Sequence, residues 1–321
     1  MQVDIELLKE FEKGLDPEHP ERSKIPARVL GYGEISTIFE IDSPTTARLA
    51  CKRLPLFRTR EEAESYELLY NAYNAVLADK IGIKVPEYGF AWFADDNGRI
   101  TAFVIQKKLP SDSIGNRALH ILNTENIRTL FLLILGQMNK LWEYNRANPD
   151  RAMGIDGQIS NWAINNFIAG TTTLEQDTSL IYFDTSTPLM KKDGAEQLNP
   201  ELFLRSAPSF LVWLIRWLFL KDVLTRYYDE RLVTIDLIAN FYKEQRPELI
   251  PVLIEAANKF YGATSDGLEI EPLTEKEIKS YYDEDKIIWT LFLAFRRFDR
   301  WLHKYVLHRP YRYILPGPIK R

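Results

Sequence analysis

The spacing of apolar and polar positions changes character once along the chain, near residue 108, and predicts a β-rich first part followed by a helical second part. Residues 27–57 read as a hairpin and a third strand, with a turn at Asp42-Ser43-Pro44 between the second and third runs. Thr59 and Glu62 have the spacing of a capping box. Ala63, Tyr66, Tyr70, Tyr73 and Leu77 then recur at helical intervals, which predicts a long helix after the third strand. Two further strands, within 85–94 and 99–109, flank the turn Asp95-Asp96-Asn97-Gly98. The order is strand, strand, strand, helix, strand, strand.

Beyond a boundary at Lys108 to Ser113 the pattern becomes helical, with Ile127, Leu130, Ile134, Leu135, Met138 and Leu141 marking a helix over Thr124 to Asn145. Residues 151–190 interrupt it with two short strand candidates, 161–170 and 179–186. The most apolar run, Phe210 to Leu220, is too short to span a bilayer, contains Arg216, and predicts a buried helix. The N-terminal 20 residues are acidic and helical in pattern, without the basic start and apolar run of a secretory signal. The fold class that follows is α+β with two lobes: a smaller β-rich lobe over 1–108 and a larger helical lobe over 109–321.

Composition sharpens this picture in three places. A chain of 321 residues, 45% hydrophobic and 12% aromatic, exceeds what one compact core usually organises, which agrees with two lobes. With 41 basic and 45 acidic residues, no global charge steers it to nucleic acid or an anionic membrane. Any such partner must use a local patch, and Arg296 to Arg321 supplies one that mixes basic and aromatic residues. The plainer reading of that patch is a terminal helix packing its aromatic face on the lobe. Cys51 is the only cysteine, which excludes an internal disulfide and a cysteine metal cluster, and predicts a reducing, cytoplasmic location. The four histidines have no metal-ligand spacing beyond the loose pair His303 and His308.

The candidate chemistry lies in a few polar residues in a fixed order. Gly31 and Gly33 fall in the first hairpin, where a turn without side chains lets backbone N–H groups approach phosphate oxygens. Lys52 sits in an apolar strand, nineteen residues after Gly33. Asp156 and Asn161 are five apart and precede a strand, and Asp184 ends another apolar run, where a carboxylate can hold a hard cation.

In these residues and their order the chain resembles the protein-kinase-like superfamily, and within it the aminoglycoside phosphotransferase and choline kinase type, over roughly residues 25–230. The resemblance implies ATP between the lobes, against a linker at Gln106 to Leu109. It also implies a glycine hairpin over the phosphates, Lys52 on them, and a helix glutamate positioning Lys52. Glu64 matches the family's early helix placement and Glu67 lies beside the apolar stripe, so both stay open. Asp156 would be the base, and Asn161 and Asp184 would hold Mg2+. Three departures stand out: Ser36 in place of a third glycine, Gly154 in place of the histidine two residues before the base, and Thr185-Ser186 in place of Phe-Gly after the metal aspartate. The activity implied is ATP- and Mg2+-dependent phosphoryl transfer to a hydroxyl of an unidentified small-molecule acceptor. Alternatives are an inactive pseudokinase that binds nucleotide or a protein partner, nucleotidyl transfer on the same fold, and a membrane- or nucleic-acid-binding protein acting through the C-terminal patch.

Overall fold

The computed structural model describes residues 1, 4–33, 36–205, 212, 224–264, 270–309 and 311–317. Strands β1 (Ala27–Tyr32), β2 (Thr37–Ile41), β3 (Leu49–Leu54), β4 (Tyr88–Ala94) and β5 (Ile100–Lys107) form one antiparallel sheet in the order β1-β2-β3-β5-β4. Helix α1 (Ile5–Gly14) covers one face, placing Leu8 and Phe11 against Phe39, Ile41, Cys51, Phe103 and Ile105. Helix α2 (Arg60–Ala75) covers the other, placing Ala63, Tyr66 and Tyr70 against Leu54, Ile100, Ala102 and Val104. Because β3 and β5 are covered on both sides, their sequences read as nearly unbroken apolar runs rather than alternating ones. Lys52 is the exception in that run, and its register partner Val104 puts it on the α2 face, opposite Cys51.

Local chemistry explains the ends of these elements. Gly98, at φ +74°, closes the β4–β5 turn by donating its N–H to the Asp95 carbonyl at 2.9 Å. Thr59 caps α2 by accepting from the Glu62 N–H, but the Glu62 carboxylate takes the Arg58 N–H at 2.8 Å and pairs with Arg205 at 2.6 Å. The expected capping box is therefore half made, its second half displaced by one residue.

The remainder is mainly helical, so the α+β class stands as expected. Helix α3 (Gly115–Ala118) leads to α4 (Thr124–Ala147), capped by Asn123 and burying Ile127, Leu130, Phe131, Ile134, Leu135, Met138, Leu141 and Trp142. Strands β6 (Arg151–Met153), β7 (Trp162–Ile164), β8 (Leu180–Tyr182), β9 (Met190–Lys192) and β10 (Ala195–Glu196) form two small sheets, β10-β9-β6 and β7-β8. The two expected strands over 161–170 and 179–186 are present as β7 and β8, only three residues each; the other sheet had no sequence signal. Helices α5 (Glu201–Leu204), α6 (Glu230–Lys243), α7 (Ile250–Thr264) and α8 (Glu275–Tyr305) follow among the described residues. The apolar run Phe210 to Leu220 lies outside the described residues apart from Val212.

Two segments beyond residue 109 return to the smaller lobe. Leu198 and Leu202 join the α2 face of the sheet and Ile314 joins the α1 face. Buried Arg53 forks onto Glu12 of α1 with two 2.6 Å bonds and donates to the Arg312 carbonyl at 2.8 Å, tying sheet, first helix and C-terminal segment together. Among the described residues no helix is long and apolar enough to cross a membrane.

Candidate active site

Lys52 projects from β3 towards the end of β8, where its Nζ donates to Asp184 Oδ1 at 2.8 Å. It also donates to Ser186 Oγ, and Ser186 Oγ donates to the same Asp184 oxygen at 3.0 Å. Asp184 is thus fixed from two sides, by Lys52 and by Ser186. Burial alone would raise its pKa, but the Lys52 charge and these hydrogen bonds outweigh it and hold the carboxyl below its ordinary range. Gln106, near the end of β5, donates its amide N–H groups to the Phe183 carbonyl at 2.9 Å and to Thr185 Oγ1 at 3.2 Å. Its side chain clamps the segment carrying Asp184, a different role from lining a linker.

The β7–β8 hairpin brings Asn161 to the same place. Trp162 pairs with Tyr182, and the Phe183 N–H donates to the Asn161 carbonyl at 3.1 Å, so Asn161 and Asp184 leave the hairpin at one end. Asn161 is buried, and its Nδ2 donates to the Asp156 carbonyl at 3.2 Å, tying the two halves of the loop. Asp156 itself accepts the Gln158 N–H on Oδ1 at 3.2 Å. Its carboxyl is pushed up to about 7, first by burial and then by the negative charges of Asp236 and Asp184.

Sequence reasoning missed Asp236. It lies on α6 within the run Val233 to Phe241, every residue of which is buried. A carboxylate in so apolar a helix was the available signal. Gln158 bridges the two acids, donating Nε2 to Asp236 Oδ2 at 3.2 Å, while Lys243 donates to Gln158 Oε1 at 3.4 Å. Burial raises the Asp236 carboxyl as well, against the opposing charge of Arg226, whose guanidinium lies 4.9 Å from the ring centre of Tyr227 and 5.9 Å from that of Tyr281.

The loop before Asp156 is braced by packing and by backbone hydrogen bonds. At Gly154 a Cβ would stand 3.0 Å from Leu189 Cβ and 3.1 Å from the Tyr227 carbonyl oxygen, so the position has no room for an imidazole. The Gly154 carbonyl accepts from the Tyr73 hydroxyl at 2.9 Å, its N–H donates to Leu189, and the Ile155 N–H donates to the Tyr227 carbonyl.

At the glycine hairpin, Gly33 donates its N–H to the Ser36 carbonyl at 3.0 Å. A Cβ on Gly33 would stand 2.5 Å from Ser36 Oγ and 3.8 Å from Lys52 Cε, which puts Gly33 beside the lysine. Gly31 sits lower in the hairpin, opposite Ile38 and next to a bulge. Ser36 Oγ is buried without a hydrogen-bond partner, an open donor beside Lys52.

A model of a family of unknown function, DUF6206, matches residues 18–300. The chain belongs to that family. The matched span of this DUF6206 chain holds every site residue named above. No curated protein sequence matches it. Among solved structures it is similar to the GDP complex of a point mutant of aminoglycoside 2'-phosphotransferase-IIIa, with 12% identity over 82% of this chain and all of the other, at a TM-score of 0.33. The wild-type GDP complex gives 11% identity over 80% of this chain and 98% of the other, at 0.31. WaaP in complex with acyl carrier protein gives 12% over 74% and 90%, at 0.32. At these TM-scores the likenesses carry no argument about chemistry.

Two expectations are corrected in the DUF6206 chain. Neither Glu64 nor Glu67 reaches Lys52: Glu64 pairs with Arg60 at 2.7 Å on the outer side of α2, and Glu67 bonds Trp92, with burial raising its carboxyl. The physical reason is helical phase, since the inward face of α2 is given to Ala63, Tyr66, Tyr70 and Tyr73. The aromatic residues of the C-terminal patch also divide. Tyr311 and Tyr313 pack around Arg296 and His303, whereas Phe298, Trp301 and Tyr305 are 50%, 49% and 60% exposed along α8. A cleft of about 1080 Å³ lies between that end of α8 and the β1–β2 edge of the sheet, away from Lys52 and Asp184.

Proposed function

We propose that this chain binds ATP with Mg2+ between its lobes and transfers the terminal phosphoryl group to a hydroxyl of a small-molecule acceptor. The observation that carries the reading is the convergence of Lys52, beside Gly33, with Asp156, Asn161 and Asp184, which lie more than a hundred residues further along the chain. Orphaned Ser36 Oγ and the space left by Gly33 beside Lys52 fit a phosphate group. Among the described residues no group of three or more His, Cys, Asp or Glu could hold a metal alone. That fits Mg2+, which keeps water and takes phosphate oxygens along with one or two protein ligands. Asp184 and the Asn161 amide oxygen would hold it, and when bound it supplies neutralisation of phosphate charge.

The chain's own residues supply the rest. Lys52 places a positive charge against the phosphates, and the hairpin N–H groups orient them and exclude water. The acceptor oxygen forms its bond to the γ-phosphorus as the bond to the bridging β–γ oxygen breaks, leaving ADP, and the hydroxyl proton passes to an Asp156 oxygen. A carboxyl titrating near neutrality suits that exchange, being partly ionised at pH 7 and a stronger base than an ordinary aspartate. Calorimetry of ATP with and without Mg2+ tests the reading. Metal-dependent binding lost in Lys52→Ala and Asp184→Ala supports it; absence of binding to the wild type at millimolar ATP removes it.

A pseudokinase is the second reading, favoured by one observation: Lys52 lacks a helix glutamate and leans on Asp184 itself. Nucleotide binding with no ADP formed across an acceptor screen, with Asp156→Asn as the inactive control, would select it.

A further inference from the structure

The site has a lysine but no helix carboxylate to position it, and Ser186 occupies the gap. Ser186 is 4% exposed, takes a hydrogen bond from Lys52 on Oγ, and donates from the same atom to Asp184 Oδ1 at 3.0 Å. Its carbonyl accepts from the Tyr66 hydroxyl. Tyr66 sits on the inward face of α2, with its ring 5.2 Å from Phe57 and 5.6 Å from Phe90, so the hydroxyl has a fixed position. The path from helix to lysine is therefore Tyr66, Ser186, Lys52, and it contains no formal charge until the ammonium.

We propose that Ser186 is the positioning residue of Lys52 and that Tyr66 anchors Ser186 to α2, so that the helix acts on the nucleotide site through a neutral hydroxyl instead of a carboxylate. The inference rests on the phosphotransferase reading for its consequence in binding, though not for its geometry. A carboxylate partner would neutralise part of the lysine charge. A hydroxyl leaves it for Asp184 and for an incoming phosphate, while still fixing the ammonium by a charge-assisted hydrogen bond. Thr185 and Ser186, which depart from the family's Phe-Gly, then acquire distinct tasks: Thr185 holds Gln106 and Ser186 holds Lys52.

The test uses two readouts on the full chain. The first is the acylation rate of Lys52 by a lysine-directed ester, followed by peptide mass spectrometry without nucleotide. The second is ATP affinity by calorimetry. Ser186→Ala and Tyr66→Phe should speed acylation several-fold and weaken ATP by about tenfold, as expected for one hydrogen bond to a charged group. Ser186→Thr should restore both, and Glu64→Gln and Glu67→Gln should change neither by more than about twofold, these residues lying outside the network. Loss of ATP affinity in either glutamate variant equal to that of Ser186→Ala would overturn the proposal, as would an unchanged acylation rate in both Ser186→Ala and Tyr66→Phe. If wild type binds no ATP while the acylation pattern holds, the phosphotransferase reading falls and the positioning role stands.

Discussion

Replacing Asp156 by asparagine should make the protein more stable at pH 8, and the gain should vanish on acidification. Asparagine keeps the shape and can still accept the Gln158 N–H at Oδ1. What it removes is a charge pressed upon by burial, Asp236 and Asp184, which together move the carboxyl from 3.8 to about 7. A folded-state value above the unfolded one means that the native protein binds the proton more tightly. Wild-type stability is therefore fully present below about pH 4, falls between about 4 and 7, and stays low above that. At ~1.4 kcal/mol per unit, roughly three units amount to about 4 kcal/mol, less to the extent that the carboxylate oxygens reach water. Urea denaturation of wild type and Asp156→Asn at half-unit pH steps from 4 to 8 measures the difference directly and requires no knowledge of the acceptor. A stability difference that is flat across that range, or a variant less stable than wild type at pH 8, would show that Asp156 is not the strained acid inferred here.

Three further outcomes follow from the same geometry. Asp236→Asn should lower the Asp156 midpoint by about one unit in carboxyl NMR titrations, because it removes the negative charge that raises it most and leaves Arg226 less neutralised; an upward or absent shift would break the coupling. Gly33→Ala should weaken ATP binding about tenfold, since its Cβ would lie 2.5 Å from Ser36 Oγ and 3.8 Å from Lys52 Cε; it should move the urea midpoint little, Gly33 itself lying outside the core of the sheet. Glu12→Gln should cost about 3 kcal/mol or more near pH 7 by stranding the buried Arg53 guanidinium. Burial would raise the Glu12 carboxyl, but the Arg53 charge outweighs it and holds it low, so this stabilisation is present above its ordinary 4.5 and is lost as pH falls through the lower folded value.

The parts of this fold that were legible in the sequence are those set by periodicity. The five strands and α2 follow from runs that are apolar on one or both faces, and α4 follows from a stripe recurring every three or four residues. Lys52 and Asp184 were legible because one interrupts and the other ends an apolar run, where a charged side chain needs a reason to be, and Asp156 and Asn161 because of their spacing just ahead of a strand. The lysine's partner was not legible, because a choice between Glu64 and Glu67 depends on the phase of α2 against the sheet, and that phase is fixed by where Tyr66 and Tyr70 find room beside Tyr88 and Phe90. Asp236 escaped because its partner Gln158 lies 78 residues away, across a loop whose path no local pattern encodes. Cys51, expected to report on the redox compartment, is fully buried with its thiol pushed up to about 12 by burial, which makes it inert in any compartment.

Two segments of the candidate site are held by one helix. Tyr73 from α2 donates to the Gly154 carbonyl, and Tyr66 from the same helix donates to the Ser186 carbonyl. The two tyrosines are seven residues apart, two turns of one helix, so they lie on one face and reach the Asp156 loop and the segment after Asp184 together. Movement of α2 would then shift the Asp156 and Asp184 segments as a pair. Asp156 is pushed up and Asp184, whose charge acts on it, is held down, and the difference between them is Lys52, which touches only the second. That division suits a base near neutrality beside a carboxylate that stays ionised, and it depends on the lysine remaining where Ser186 keeps it.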